Sequence, residues 1–149
     1  AVKWGPLEKG DILDRKRLEQ VLQKYRPIAV MHFAAYAYVE ESVREPDKYF
    51  RNNVHGSLNV LEAIQACDVN KFIFSSSCAV YGIPKESPLR ETHPIAPINP
   101  YGAGKATVEN KLMAFRNCSP LRYISLRYFN AAGADMDGEI GEAHTHGNP

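Results

Sequence analysis

Three short apolar runs constrain what this chain can become. Ile28 to Phe33 is apolar except for His32, Lys71 to Phe74 runs on into Ser75-Ser76 as a second buried strand, and Leu121 to Phe129 reads as a third strand. A run as continuous as the first suits a strand buried on both faces of a parallel sheet. Between them the apolar residues switch to helical spacing. Leu18, Val21, Leu22 and Tyr25 share one face of a helix that Asp14 can cap and Pro27 ends. Pro46 can open a long helix reaching about Ala66, with Tyr49, Phe50, Asn53, Val54, Ser57, Leu58, Leu61 and Ile64 recurring along it. Gly56 inside that helix predicts close approach of another backbone. Strands alternating with such helices predict an α/β chain with a parallel sheet. Val2, Trp4 and Leu7 suggest one more strand with an irregular end, and the proline-rich residues 83–100 a surface loop.

At 149 residues the chain can bury the core of one domain. A net charge of +1 with no basic run argues against nucleic acid and against an anionic membrane surface. No apolar run approaches the roughly 20 residues of a membrane span, and no signal peptide is visible. Cys67, Cys78 and Cys118 are odd in number and lie at no metal-ligand spacing, so they read as reduced thiols of a cytoplasmic protein. His144 and His146 read as solvated rather than as a metal site.

Asn99-Pro100-Tyr101-Gly102-Ala103-Gly104-Lys105 reads as a helix start, with Asn99 as N-cap and Pro100 as first helical residue. Lys105 then lies one turn beyond Tyr101 on the same face. The ammonium and the positive end of the helix dipole both favour the phenolate, so Tyr101 is expected to have a lowered pKa and to serve as a general base. Alone, such a pair is more often a surface feature. The phosphate-loop reading of Gly-x-Gly-Lys fails, because the first glycine of that motif and the hydroxyl after the lysine are missing. Support comes from the strand ends. Ligands of parallel α/β sheets bind beyond the carboxyl ends of the strands. That rule gathers Phe33-Ala34-Ala35, Ser75-Ser76-Ser77 and Tyr128-Phe129-Asn130 at the edge where Tyr101 is expected.

Gly10-Asp11-Ile12, His32-Phe33-Ala34-Ala35, Glu41-Ser42, Asn52-Asn53-Val54, Phe72 to Ser77 with Val80-Tyr81-Gly82, Pro100-Tyr101-Gly102 with Lys105, and Leu126 to Asn130 with Gly133-Ala134 run in one order along nearly the whole chain. In these segments the chain resembles the extended short-chain dehydrogenase/reductase family, and within it the UDP-glucose 4-epimerases. The resemblance implies a Rossmann-like doubly wound parallel sheet, NAD as cofactor and a UDP-sugar as substrate. It implies Tyr101 as proton acceptor, Lys105 as the lysine on the nicotinamide ribose, and Ser77 as the serine bonded to the sugar hydroxyl being oxidised. It further implies cofactor contacts at Asp11, Ile12, Phe33, Ala34, Ala35, Asn53, Ser75, Ser76, Tyr128 and Phe129, and substrate contact at Asn130. A backbone loop would satisfy the Asn53 amide equally well.

The family's Gly-rich turn, where a helix N-terminus holds the pyrophosphate, is absent from the sequence, as is the C-terminal substrate lobe. Residues 1–149 are therefore expected to be a partial NAD-binding domain, an interior fragment that binds NAD poorly and turns over nothing alone. Ala37 stands where some members carry a lysine, and Glu40 where glycine is frequent. Ser77-Cys78-Ala79 carries no carboxylate, whereas 4,6-dehydratases of the superfamily place an Asp-Glu pair there, so epimerisation is favoured. A pentose epimerase would share every residue named. A non-catalytic binding module is the reading from another class. The family pattern also suggests a homodimer for the full-length protein.

Overall fold

The computed structural model describes residues 5–139 and 141. Val2, Trp4, His144 and His146 lie outside the described residues, and residues 5–10 form no strand. The first helix, α1 (Arg15–Tyr25), starts where expected, because the Asp14 carboxylate accepts the Arg17 N–H at 3.0 Å. It stops one residue before Pro27, at Arg26, which adopts a left-handed conformation (φ 44°) and donates its N–H to Leu22.

The strands β1 (Val30–His32), β2 (Lys71–Ser77) and β3 (Arg122–Tyr128) pair in parallel in the order β1-β2-β3. The register sets Val30 beside Phe72, Phe72 beside Tyr123, and Ser77 beside Tyr128. All three carboxyl ends consequently meet one edge. Phe72 and Phe74 point to one face and form the core with Leu61 and Ile64 of α4 (Gly56–Ala66) and with Val108 and Leu112 of α5 (Pro100–Cys118). Leu18 and Leu22 of α1 close the same side.

The opposite face corrects the expectation of a strand buried on both sides. Met31 and Ile124 are each 57% exposed, and Ile28 is 81% exposed beyond the strand end. The apolar run bears on sheet formation, but among the described residues the helices packed on the core lie over the Phe72 and Phe74 side only.

The long helix is also corrected. A short helix α2 (Val39–Arg44) precedes it, and α3 (Pro46–Tyr49) passes through a π-helical turn (Phe50–His55) into α4. Such wide turns recur at functional sites in α-helices. This one presents Asn53, which clamps the Tyr36 backbone by accepting its N–H at 2.9 Å and donating to its carbonyl at 2.8 Å. What approaches Gly56 is a side chain, not a backbone. A Cβ there would lie 2.5 Å from Ile12 Cδ1.

Candidate active site

The helix α5 is anchored at its start from two sides. Asn99 Oδ1 accepts the Gly102 N–H at 2.8 Å, and the Tyr101 N–H donates to Ser42 Oγ of α2 at 3.3 Å. Gly102 is required by contact, because a Cβ would sit 2.5 Å from the Ala79 carbonyl oxygen. The helix start is thereby pressed against the turn that follows β2.

That contact brings Tyr101 to Ser77, whose side chain hydrogen-bonds the phenol. Ser77 Oγ also accepts the Ala79 N–H at 3.2 Å, capping a 3-10 turn over Cys78–Val80. One turn into α5, Lys105 is buried and donates from Nζ to the Ser75 carbonyl at 2.6 Å. Its ammonium lies 5.0 Å from the centre of the Phe74 ring and 5.8 Å from that of Tyr101. Tyr101, Ser77, Ser75 and Lys105 therefore form one cluster at the carboxyl edge of β2.

The electrostatics differ from the expectation. Burial pushes Tyr101 above the ordinary 10, the Ser77 hydrogen bond pulls it back, and Cys78 adds to the rise. The Lys105 ammonium is committed to the Ser75 carbonyl below the ring rather than to the phenol oxygen. Lys105 is itself pushed down to about 8 by loss of solvent. Because the unfolded chain binds this proton up to about pH 10.5, burial of the ammonium costs stability below pH 8, and stability rises as the pH climbs from 8 towards 10.5. The expected result is a rise of about 3 kcal/mol across that window that a Lys105→Met variant lacks. Urea midpoints of both proteins at pH 7.5 and 10 would measure it, and parallel shifts would contradict it.

The remaining expected residues divide. Phe33 and Phe129 are 55% and 61% exposed, and with Tyr128 and Asn130 they form an open shelf at the strand ends. Ala34 is exposed and Ala35 half-buried beside them. An exposed aromatic shelf beside a buried lysine fits a flat, partly apolar cofactor such as NAD. Asp11 and Ile12 stand apart from the Tyr101 cluster. Asp11 Oδ1 accepts the Leu13 N–H at 2.9 Å, and both residues line a cavity of about 180 Å³ bounded also by Leu18, Val30 and Val60. The Asn53 amide is already engaged by Tyr36. Ser76 points away from the shelf and donates to Glu109 Oε1 at 2.5 Å.

Sequence reasoning missed Ser42, Glu109, Arg127 and Tyr81. Glu109 could have been found, since it continues the four-residue spacing of Tyr101 and Lys105. Arg127 is a charge within β3, whose other arginine, Arg122, stands at the strand start. Nothing in the sequence ties Ser42 to α5.

The chain is similar to known proteins along nearly its whole length. The family model described as GDP-mannose 4,6 dehydratase matches residues 5–145. The chain is 53% identical over 151 aligned positions to a UDP-glucose 4-epimerase of Rhizobium leguminosarum bv. trifolii, covering 99% of this chain and 46% of that one. A crystal structure of UDP-glucose 4-epimerase from Brucella ovis in complex with NAD superposes with a TM-score of 0.93 at 51% identity, covering 95% of this chain and 44% of that one. A third, from Stenotrophomonas maltophila with bound NAD and formylated UDP-arabinopyranose, gives a TM-score of 0.90 at 39% identity, covering 95% and 42%. The chain thus spans less than half the length of these relatives. Its parallel sheet and the helices over it are Rossmann-like, and the chain belongs to the GDP-mannose 4,6 dehydratase family, alongside the UDP-glucose 4-epimerases.

Proposed function

We propose that these 149 residues are the central and C-terminal part of the NAD-binding domain of a UDP-sugar 4-epimerase. The observation that carries this reading is the Ser77–Tyr101 contact backed by the buried Lys105 ammonium. Tyr101, as the phenolate that burial disfavours and a positively charged nicotinamide beside it would favour, accepts the proton of the sugar 4-hydroxyl, and Ser77 holds that hydroxyl against it. Proton transfer by a positioned group of this kind contributes about 10²- to 10⁴-fold to a rate. NAD, when bound, would supply the hydride acceptor and donor for the sugar carbon that carries this hydroxyl. Lys105 would hold the nicotinamide ribose, Phe33 and Phe129 would line the dinucleotide, and Asn130 would meet the diphosphate of the substrate. Tyr101 returns the proton as the second half of the cycle closes.

The family description names a dehydratase, which must also expel water and therefore needs an acid and a base beside the serine. Cys78 and Ala79 occupy those positions, which favours epimerisation. A pentose substrate is the second reading, supported by the arabinopyranose ligand of the Stenotrophomonas enzyme. A homodimer and a cytoplasmic location belong to the same proposal. Exposed Val43, Phe50 and Met113, on neighbouring helical segments, supply apolar surface for a second copy. Among the described residues no helix is long and apolar enough to cross a membrane.

The test is to express the natural reading frame that carries this chain and assay UDP-hexoses and UDP-pentoses with NAD present. Interconversion of C4 epimers is expected. Formation of a 4-keto-6-deoxy sugar would overturn the reading in favour of a dehydratase, and NAD binding without turnover of any sugar would favour a binding module.

A further inference from the structure

Glu109 is buried (6% exposed) two turns beyond Tyr101 and one beyond Lys105 on the same face of α5. Its carboxylate takes three hydrogen bonds from Arg127 of β3, from Nε at 3.0 and 3.2 Å and from Nη2 at 2.6 Å, and a fourth from Ser76. Arg127 Nη1 continues to the Tyr81 hydroxyl at 2.9 Å and the Glu91 carbonyl at 3.4 Å, and the guanidinium lies 4.9 Å over the Tyr81 ring. The edge-on ring of buried His93 packs against Tyr81 at 5.6 Å. His93 Nε2 accepts the Lys85 N–H at 3.2 Å, which leaves Nδ1 to donate to the Pro94 carbonyl at 3.0 Å.

The three serines of β2 thus each meet α5, Ser75 through its backbone carbonyl and Ser76 and Ser77 through their side chains. Ser75 binds Lys105, Ser76 binds Glu109, and Ser77 binds Tyr101. Pinning the Ser76 side chain to α5 fixes where the β2 backbone lies against that helix, and with it the Ser75 carbonyl that Lys105 holds and the turn start that carries Ser77 to Tyr101. The geometry points to Glu109 and Arg127 as a positioning pair that holds the proton-transfer residues in register and roots the 81–93 loop beside them. Neither side chain reaches the shelf, so neither is a catalytic residue. This inference rests on the epimerase reading given above.

The experiment compares Glu109→Gln, Arg127→Lys and the double variant with the wild type, each in the natural reading frame. Glutamine keeps the shape and an acceptor for Ser76 while removing the charge that orients Arg127. Misplacement of a catalytic group by about 1 Å costs on the order of 10²-fold. Each single variant is expected to lose about ten- to a hundred-fold in kcat with KM for the nucleotide sugar changed less than about threefold. The double variant should be no slower than the worse single one, because the pair acts as a unit. Amide exchange of residues 75–82 should accelerate at least about tenfold in each. An unchanged kcat would overturn the inference, as would a loss carried in KM or one that only tracks global unfolding. If the wild type itself turns over no nucleotide sugar, the epimerase reading fails and exchange decides the positioning role. Faster exchange confined to residues 75–82 then supports it, and unchanged exchange sinks it.

Discussion

Replacing Tyr101 with phenylalanine is expected to cut turnover by about 10³-fold or more while the protein stays folded. The substitution removes one oxygen and leaves the ring where it packs above the Lys105 ammonium. The structural loss is limited to one hydrogen bond with Ser77, worth about 1 kcal/mol. The catalytic loss is larger because no other phenol, imidazole or carboxylate contacts Ser77 among the described residues. His32 is buried in β1 against Phe74 and bonded to Ser57 at 2.8 Å. Glu109 is held by Arg127 and Ser76. The measurement is the steady-state rate of the full reading frame with saturating UDP-sugar, together with its melting temperature. A Tyr101→Phe protein retaining a tenth of the wild-type rate would remove Tyr101 as the proton acceptor. An equal loss in a protein that has also lost its melting transition would show a folding defect instead, and Ser77→Ala would then carry the test.

The largest effect on stability should follow from Arg127→Met. Arg127 and Glu109 are an ion pair with side chains 21% and 7% exposed, and the carboxylate is the deeper partner. Its neighbour holds Arg127 above the ordinary guanidinium range, chiefly through the hydrogen bonds to Glu109. Removing the arginine leaves a buried carboxylate with only the Ser76 hydroxyl. Stranding one partner of a buried pair costs about 3–5 kcal/mol, which for a domain of this size lowers the melting temperature by roughly 10 °C or more. The Glu109→Gln/Arg127→Met double variant should recover much of that loss, since no isolated charge remains. Thermal melts of the two singles and the double form the cycle that checks it. If Arg127→Met melts within about 2 °C of the wild type, the pair is solvated in solution and contributes as little as an exposed surface pair.

Much of this was legible from residues alone. Asp14, Asn99 and Pro100 specify helix starts through their own side chains and backbones, and α1 and α5 begin where those residues say. The apolar runs specify β2 and β3 to within about a residue at each end. The long helix from Pro46 was legible as a helix but not as one with a π turn. Ile12, from the segment before α1, packs against Gly56, and Tyr36 occupies Asn53; such partners have no local signature.

Lys105 shows the same division at the site. Its spacing from Tyr101 placed the two on one helix face. That spacing also suggested a lowered tyrosine pKa, and there it failed. The ammonium is drawn to the Ser75 carbonyl, and burial by the packed sheet raises the phenol instead. Helical periodicity, capping and the order of strands act through near neighbours in the chain, and the sequence by itself determined them. Solvation, and the choice among several possible hydrogen-bond partners, depend on which distant segments close over a group. Only the packing of α5 against β2 and β3 decided that Lys105 meets Ser75, that Glu109 meets Arg127, and that Tyr101 stands half-buried against Ser77.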